Sequence, residues 1–178
     1  MIKNTLTHYG YVAKSFHWLM AILFVVMFVV AYIMINIPKS NFRFLLYDVH
    51  KATGLLLLGL VALRLLWRFI NLQPRLPIVN KWVKVAAKSN IVLLYLMMIL
   101  MPISGFLTST LGGHEVSFYG IFTISPLAHD PNASVWFSNA HEIFSYLLLA
   151  CFVLHIIGAL FHHYVLKDNV LNRMIKSK

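Results

Sequence analysis

Acidic residues are scarce in this chain of 178 residues: it contains five Asp and Glu, and charged residues of both signs make up only 11% of the sequence. Hydrophobic residues account for 60%, and the mean hydropathy is +0.78. Soluble globular domains contain about 25% charged residues. The shortage of charge therefore excludes an ordinary soluble domain and predicts an integral membrane protein.

Cysteine occurs once, at Cys151. A single cysteine excludes a disulfide within the chain, and the apolar surroundings of Cys151 indicate a small buried side chain. The sequence also lacks a C-x-x-C-H motif, which excludes the usual covalent attachment of a c-type haem.

Four apolar segments are long enough to cross a membrane, because about 20 helical residues span a hydrocarbon core of roughly 30 Å. They cover approximately Phe16–Asn36, Val49–Ile70, Asn90–Thr110 and His141–Leu166. The stretch 111–140 contains turn residues and is predicted to be a structured outer loop or cap. The sequence thus predicts an all-α, integral membrane four-helix bundle that forms one domain over residues 1–178.

The formal net charge of +10 is unevenly distributed. Twelve of the fifteen Lys and Arg residues lie in the two tails or beside the connection between the second and third segments, whereas Lys39, Arg43 and Lys51 lie around the first connection. By the positive-inside rule, both termini are predicted to be cytoplasmic. The basic excess therefore indicates topology and does not indicate a nucleic-acid partner.

Four histidines lie within or at the edges of the apolar segments: His17, His50, His141 and His155. The fourteen residues from His141 to His155 advance an α-helix by about 1400°, close to a whole number of turns, and by about 21 Å along its axis. Both side chains therefore share one helix face at two depths. With the termini inside, His17 and His155 are predicted to meet at an inner level, and His50 and His141 at an outer level.

Two imidazoles at each level predict bis-histidine ligation of two metal centres, because ionisable residues within membrane spans are rare and usually functional. Zinc and copper sites usually need three or four protein ligands, whereas a porphyrin supplies the other four ligands of an octahedral iron. The pattern therefore favours two b-type haems. Two alternatives stay open: structural hydrogen bonds between helices, and a colourless proton relay or metal carrier.

Arg64 lies fourteen residues after His50, so helical spacing directs it into the bundle at the inner level. It is a candidate contact for a haem propionate or a quinone carbonyl; the alternative is that it extends to the cytoplasmic headgroups. His162 and His163 follow His155 by about two turns. They are either proton carriers near a quinone or solvated residues at the membrane interface.

Several local patterns resemble the bacterial cytochrome b561 family across essentially the whole chain. They are S-F-H-W at Ser15–Trp18, H-K-A-T-G at His50–Gly54, L-R-L-L-W-R at Leu63–Arg68, A-H-E at Ala140–Glu142 and L-H-I-I-G-A-L-F-H-H-Y at Leu154–Tyr164. The resemblance implies a four-helix cytochrome with two b-type haems in the bacterial inner membrane. Its ligand positions map onto His17, His50, His141 and His155.

Within that family the chain is most similar to the superoxide oxidases, which implies a superoxide:ubiquinone oxidoreductase. The expected function is electron transfer from superoxide at the outer face, through the outer and inner haems, to ubiquinone. The outer cations Lys39, Arg43 and Lys51 are expected to attract the superoxide anion. The alternative is a haem-bearing membrane subunit that relays electrons for a partner dehydrogenase or hydrogenase and catalyses nothing alone.

Overall fold

The computed structural model describes residues 1–75 and 80–175. Within these ranges the chain forms four long helices, α1 (Tyr11–Asn36), α2 (Asn41–Ile70), α3 (Lys81–Leu111) and α4 (Pro131–Tyr164). A hairpin of β1 (Val116–Phe118) and β2 (Phe122–Ile124) lies between α3 and α4, and a short α5 (Asn172–Ile175) follows. The four long helices are each long and apolar enough to cross a membrane. The predicted four-helix membrane architecture is confirmed.

All four helices begin before the apolar segments do, because each first turn contains polar or charged residues that interrupt the apolar run. Their N-terminal residues are Tyr11, Asn41, Lys81 and Pro131, where the apolar segments predicted starts near residues 16, 49, 90 and 141. Ser40 and Asp130 cap α2 and α4 by accepting hydrogen bonds from the backbone N–H groups of Arg43 and Ala133. The outer loop predicted for residues 111–140 is therefore too long, since residues 131–140 belong to α4.

The rest of that connection is a compact excursion built around the β1–β2 hairpin. Val116 pairs with Ile124 in antiparallel register. Gly112 forms a β-bridge with His129, so the chain leaves and rejoins the bundle at the same place. Strand β1 packs against α2 and α3, and Val116 is fully buried there. The hairpin is thus fixed to the end of the bundle.

Packing between the helices is uneven. Helices α3 and α4 share the most extensive contact, while α1 packs on α2 and α2 packs on α3. Among the described residues, the backbones of α1 and α2 do not pack closely against α4. An apolar layer fills the middle of the bundle and consists of Met20, Phe24, Met27, Leu57, Val61, Met97, Met98 and Leu148. Leu148 lies midway between His141 and His155 on α4, so this layer separates the two histidine levels.

Both tails lie at one end of the bundle. The buried Asn4 donates from its side-chain amide to the Leu72 carbonyl at 2.7 Å, and its side-chain oxygen accepts from the Gly10 N–H at 2.9 Å. The Trp18 indole N–H donates to the Met174 carbonyl at 3.2 Å. We call this end, where both tails and the end of α2 meet, the terminal end. The opposite end, which carries β1 and β2, is the hairpin end.

Candidate functional site

The four predicted ligand histidines form two pairs on either side of the apolar layer. At the terminal end, the ring centroids of His17 on α1 and His155 on α4 are 6.0 Å apart. At the hairpin end, those of His50 on α2 and His141 on α4 are 6.2 Å apart. The structure therefore brings together the same partners that helical spacing and charge distribution predict.

Both separations match the distance expected for two imidazoles that share one metal ion. A metal–imidazole nitrogen bond is about 2 Å long and the ring centroid lies about 1.1 Å beyond the nitrogen, so two rings on opposite sides of an ion have centroids about 6.2 Å apart. Each pair also joins α4 to a helix whose backbone, within the described ranges, does not pack closely on it. Side chains, and not backbone packing, connect α4 to α1 and α2.

Helix α3 orients the ring of His141. The Nδ1 atom of His141 lies 2.8 Å from the Met101 carbonyl oxygen and 3.2 Å from Ser104 Oγ. Because a carbonyl can only accept, Nδ1 carries the ring proton and donates it, which leaves the lone pair of Nε2 for a metal. A hydrogen-bonded second nitrogen is typical of histidines that ligate metals.

Gly105 provides the space that the His141 ring occupies against α3. A Cβ atom at this position would lie 2.7 Å from Cε1 and 2.9 Å from Nδ1 of His141. Any side chain here would displace the ring. By contrast, a Cβ atom at Gly54, Gly59 or Gly158 would meet nothing within 4 Å.

The donor set fits a cofactor that brings most of its own ligands. In the part of the chain that the structure describes, no group of three or more His, Cys, Asp and Glu residues is placed to hold an ion. Zinc bound by protein alone normally has three or four such ligands. Nδ1 of His50 is buried and has no hydrogen-bond partner among the described residues, so this ring retains a nitrogen that the protein does not satisfy.

Comparison with known proteins identifies the family. The protein-family model described as prokaryotic cytochrome b561 matches residues 8–177. The chain belongs to the prokaryotic cytochrome b561 family. Cytochrome b561 homolog 2 of Escherichia coli (strain K12) is 33% identical over 97% of this chain and 93% of the relative. The probable superoxide oxidase CybB of Yersinia pestis is 31% identical over 96% of this chain and 97% of the relative. Membership implies membrane electron transfer with a b-type haem, which the histidine pairs fit.

In this cytochrome b561, Arg64 lies inside the bundle beside the terminal-end pair. Its Nη2 is 3.1 Å from Nδ1 of His17. The guanidinium lies over the Tyr95 ring at 5.8 Å from the centroid, and Arg68 lies over the same ring at 5.7 Å. Arg64 therefore lies against the terminal-end pair, on the face of α2 that its spacing from His50 predicts.

Tyr9 belongs to the same polar cluster, and sequence reasoning missed it. Burial raises the pKa of its phenol above the ordinary value, although the positive charge of Arg68 opposes that change. The phenol therefore keeps its proton at neutral pH. Tyr9 precedes α1 in a polar segment without apolar periodicity, so no sequence pattern marks it.

His162 lies beyond the terminal-end pair and contacts a carboxylate. Its Nδ1 is 2.5 Å from Oδ2 of Asp168, and both side chains are mostly buried. The expectation of a solvated residue is therefore wrong for His162, while a role in proton transfer stays a prediction. The neighbouring His163 contacts the ring of Tyr164 and belongs to neither histidine pair.

Replacing Gly105 with alanine is expected to lower the thermal unfolding midpoint in detergent by about 3–10 °C, because overpacking at a tight contact costs about 1–3 kcal/mol. Gly59→Ala is the matched control, since it adds the same methyl group to a helix where nothing lies within 4 Å. That change should be neutral or stabilising, by up to about 1 kcal/mol. A midpoint for Gly105→Ala equal to that of Gly59→Ala would contradict the contact with His141.

Proposed function

We propose that this cytochrome b561 binds two b-type haems and carries electrons across the membrane to a quinone. His17 and His155 would hold the terminal-end haem, and His50 and His141 would hold the hairpin-end haem. The observation that carries this proposal is the repeated ring separation of 6.0 and 6.2 Å at two levels of one bundle. A bound b-type haem would gain and lose single electrons, and the positions of the two histidine pairs along the bundle would set the depth of each haem.

The proposed orientation places the terminal end in the cytoplasm of a bacterial inner membrane. Its support is the excess of Lys and Arg in the tails and around the α2–α3 connection, since cytoplasmic loops are enriched in both residues. In this orientation the hairpin end is the outer face. Electrons would then enter near His50 and His141 and leave near His17 and His155.

The proposed donor is superoxide and the proposed acceptor is ubiquinone. Each superoxide loses one electron and becomes dioxygen, and two electrons with two cytoplasmic protons convert the quinone into a quinol. The name of the Yersinia pestis relative, probable superoxide oxidase CybB, supports this donor. The similarity covers nearly the full length of both chains.

Two of the three cations proposed to attract superoxide have protein partners. Lys51 pairs with Asp48 at 3.0 Å, and Arg43 donates to the Ile37 carbonyl at 3.0 Å. The carboxylate of Asp48 offsets the charge of Lys51. Attraction of the anion by this face would therefore depend mainly on Lys39 and Arg43.

Arg64 is proposed to bind a propionate of the inner haem or the carbonyl of the quinone. If His17 held haem iron through Nε2, its ring proton would lie on Nδ1, which would then no longer accept from Arg64. The guanidinium is then available to a carboxylate or carbonyl oxygen, with which it forms strong charge-assisted hydrogen bonds. Its position inside the bundle beside His17 supports this role.

A relay subunit for a partner dehydrogenase or hydrogenase is the second candidate function. It uses the same haems and differs in the electron donor. The observation that favours it is exposed apolar surface at the hairpin end, where Ile121, Phe122 and Leu127 are 76%, 51% and 61% exposed. Such residues would suit contact with another protein.

Mixing the purified protein with superoxide and a ubiquinone analogue in a stopped-flow spectrometer tests the proposed function. We expect rapid reduction of both haems by superoxide and reoxidation that requires the quinone. Haems that remain oxidised with superoxide but are reduced by a soluble partner would favour the relay function. A colourless protein would contradict both.

Removing the charge of Arg64 should change the inner haem more than the outer one. For Arg64→Leu, we expect the midpoint potential of one haem to fall by about 60 mV, because a nearby cation favours the reduced form. This shift is a tenfold change in the equilibrium constant of a one-electron couple. Quinone reduction should slow as well. Arg68→Leu is the control, since it removes an exposed cation from the same Tyr95 ring. Equal shifts in the two variants, measured by redox titration, would rule out a specific role.

A further inference from the structure

The hairpin is attached to α2 on both sides of His50. Lys51 Nζ donates to the Glu115 carbonyl at 3.2 Å. The hydroxyl of Tyr119 lies 2.7 Å from Thr53 Oγ1. Around a helix, Lys51 lies about 100° to one side of His50 and Thr53 about 60° to the other. The two attachments therefore flank the direction of His50, which places the hairpin beside the hairpin-end pair.

The contact between Tyr119 and Thr53 has a defined direction. Thr53 Oγ1 also lies 2.7 Å from the Val49 carbonyl, to which it must donate its only proton. Tyr119 is therefore the donor and Thr53 the acceptor in the contact between them. Thr53 is only 6% exposed, whereas Tyr119 is 50% exposed, so the acceptor of this hydrogen bond is buried and the donor reaches it from the surface.

The backbone of Tyr119 has a conformation that a bulky residue rarely adopts. Tyr119 and Gly120 have φ values of 50° and 74°, and the Ile121 N–H donates to the Phe118 carbonyl at 2.9 Å across the turn. Positive φ is common for glycine but strained for tyrosine. Such strain persists only where the surroundings determine the conformation, and it is concentrated at functional sites. Here it accompanies a phenol that contacts α2 one turn from His50.

We propose that Tyr119 is a positioning residue that holds the hairpin over the hairpin-end histidine pair. The hairpin then admits small solutes such as superoxide to this pair and excludes redox proteins. This inference rests on the proposed function, because it takes the haem at His50 and His141 as the point where electrons enter. It also distinguishes the two candidate functions, since a relay subunit needs that haem to be accessible to a protein.

Three substitutions separate the hydrogen bond from the shape of the turn. Tyr119→Phe removes only the donor, and Thr53→Val removes the acceptor together with the local hydrogen bond from Thr53 to the Val49 carbonyl on the same helix. Tyr119→Asn introduces a residue that tolerates positive φ, so it removes the phenol ring and preserves the shape of the turn. Tyr32→Phe is the matched control, since Tyr32 lies on α1 and is 69% exposed. Each protein is reconstituted in nanodiscs, reduced with dithionite and oxidised in a stopped-flow spectrometer by ferricyanide or by ferricytochrome c.

Loss of the Tyr119 contact should loosen the tip of the hairpin and increase access for the large oxidant only. We expect the rate of haem oxidation by ferricytochrome c to rise roughly fivefold in Tyr119→Phe, Thr53→Val and Tyr119→Asn. A change of this size is expected when one hydrogen bond is lost. The rate with ferricyanide should change less than about twofold. The double variant Tyr119→Phe with Thr53→Val should behave like either single variant, because both remove the same bond. Tyr32→Phe should leave both rates unchanged.

Two results would overturn the proposal, and they are distinguishable. If Tyr119→Phe and Thr53→Val keep the haem spectrum and the parent ratio of the two rates, the hairpin does not control access and the proposed function stands. If the parent protein binds no haem, the proposed function fails and this inference fails with it. Tyr119→Phe is sufficient to test the proposal even if Tyr119→Asn does not fold, because it removes a single polar contact, and Thr53→Val tests the same contact from the side of α2.

Discussion

The two histidines of α4 face the same side of the helix, and each meets a histidine from a helix that, in the described ranges, does not pack closely on α4. A fourteen-residue spacing sets these two contacts about 21 Å apart along the axis. The apolar layer that includes Leu57 and Leu148 fills the space between them. Helix placement, the depth of the two polar levels and the route proposed for electrons all depend on this arrangement.

The two pairs have different surroundings, and the difference fits different tasks. The ring of His141 is fixed by the Met101 carbonyl and the bare backbone of Gly105, so its position is set by the tightly packed α3 and α4. At the other level, His17 contacts the Arg64 guanidinium within a cluster of cations and tyrosines. A rigidly held pair fits the proposed entry of electrons from a small donor. A cation-rich pair suits contact with carboxylate or carbonyl oxygens.

Sequence patterns predicted the features that repeat along helices. Apolar runs predicted four spans, and helical spacing predicted which histidines meet and that Arg64 faces inward. The helix starts were missed, because capping turns are polar; Asp130 followed by Pro131 is nevertheless a typical N-terminal helix pattern that could have located the start of α4.

Other features depend on contacts between residues far apart in the chain, which local patterns do not contain. Nothing near Gly105 in the sequence indicates that His141 lies against it. The three-residue strands of the hairpin are too short for a clear alternation of apolar and polar residues. The hydrogen bond from Tyr119 to Thr53 joins positions 66 residues apart. Asp168 similarly reaches His162 only because the chain turns back after α4.

Low-temperature EPR spectroscopy of the oxidised, purified protein tests the central claim, that each histidine pair is a bis-imidazole ligand set for haem iron. The account predicts two low-spin ferric signals that together correspond to two haems per chain. One signal should disappear in His17→Ala and the other in His50→Ala. High-spin iron in the parent protein, a single haem per chain, or both signals retained in either variant would contradict the account.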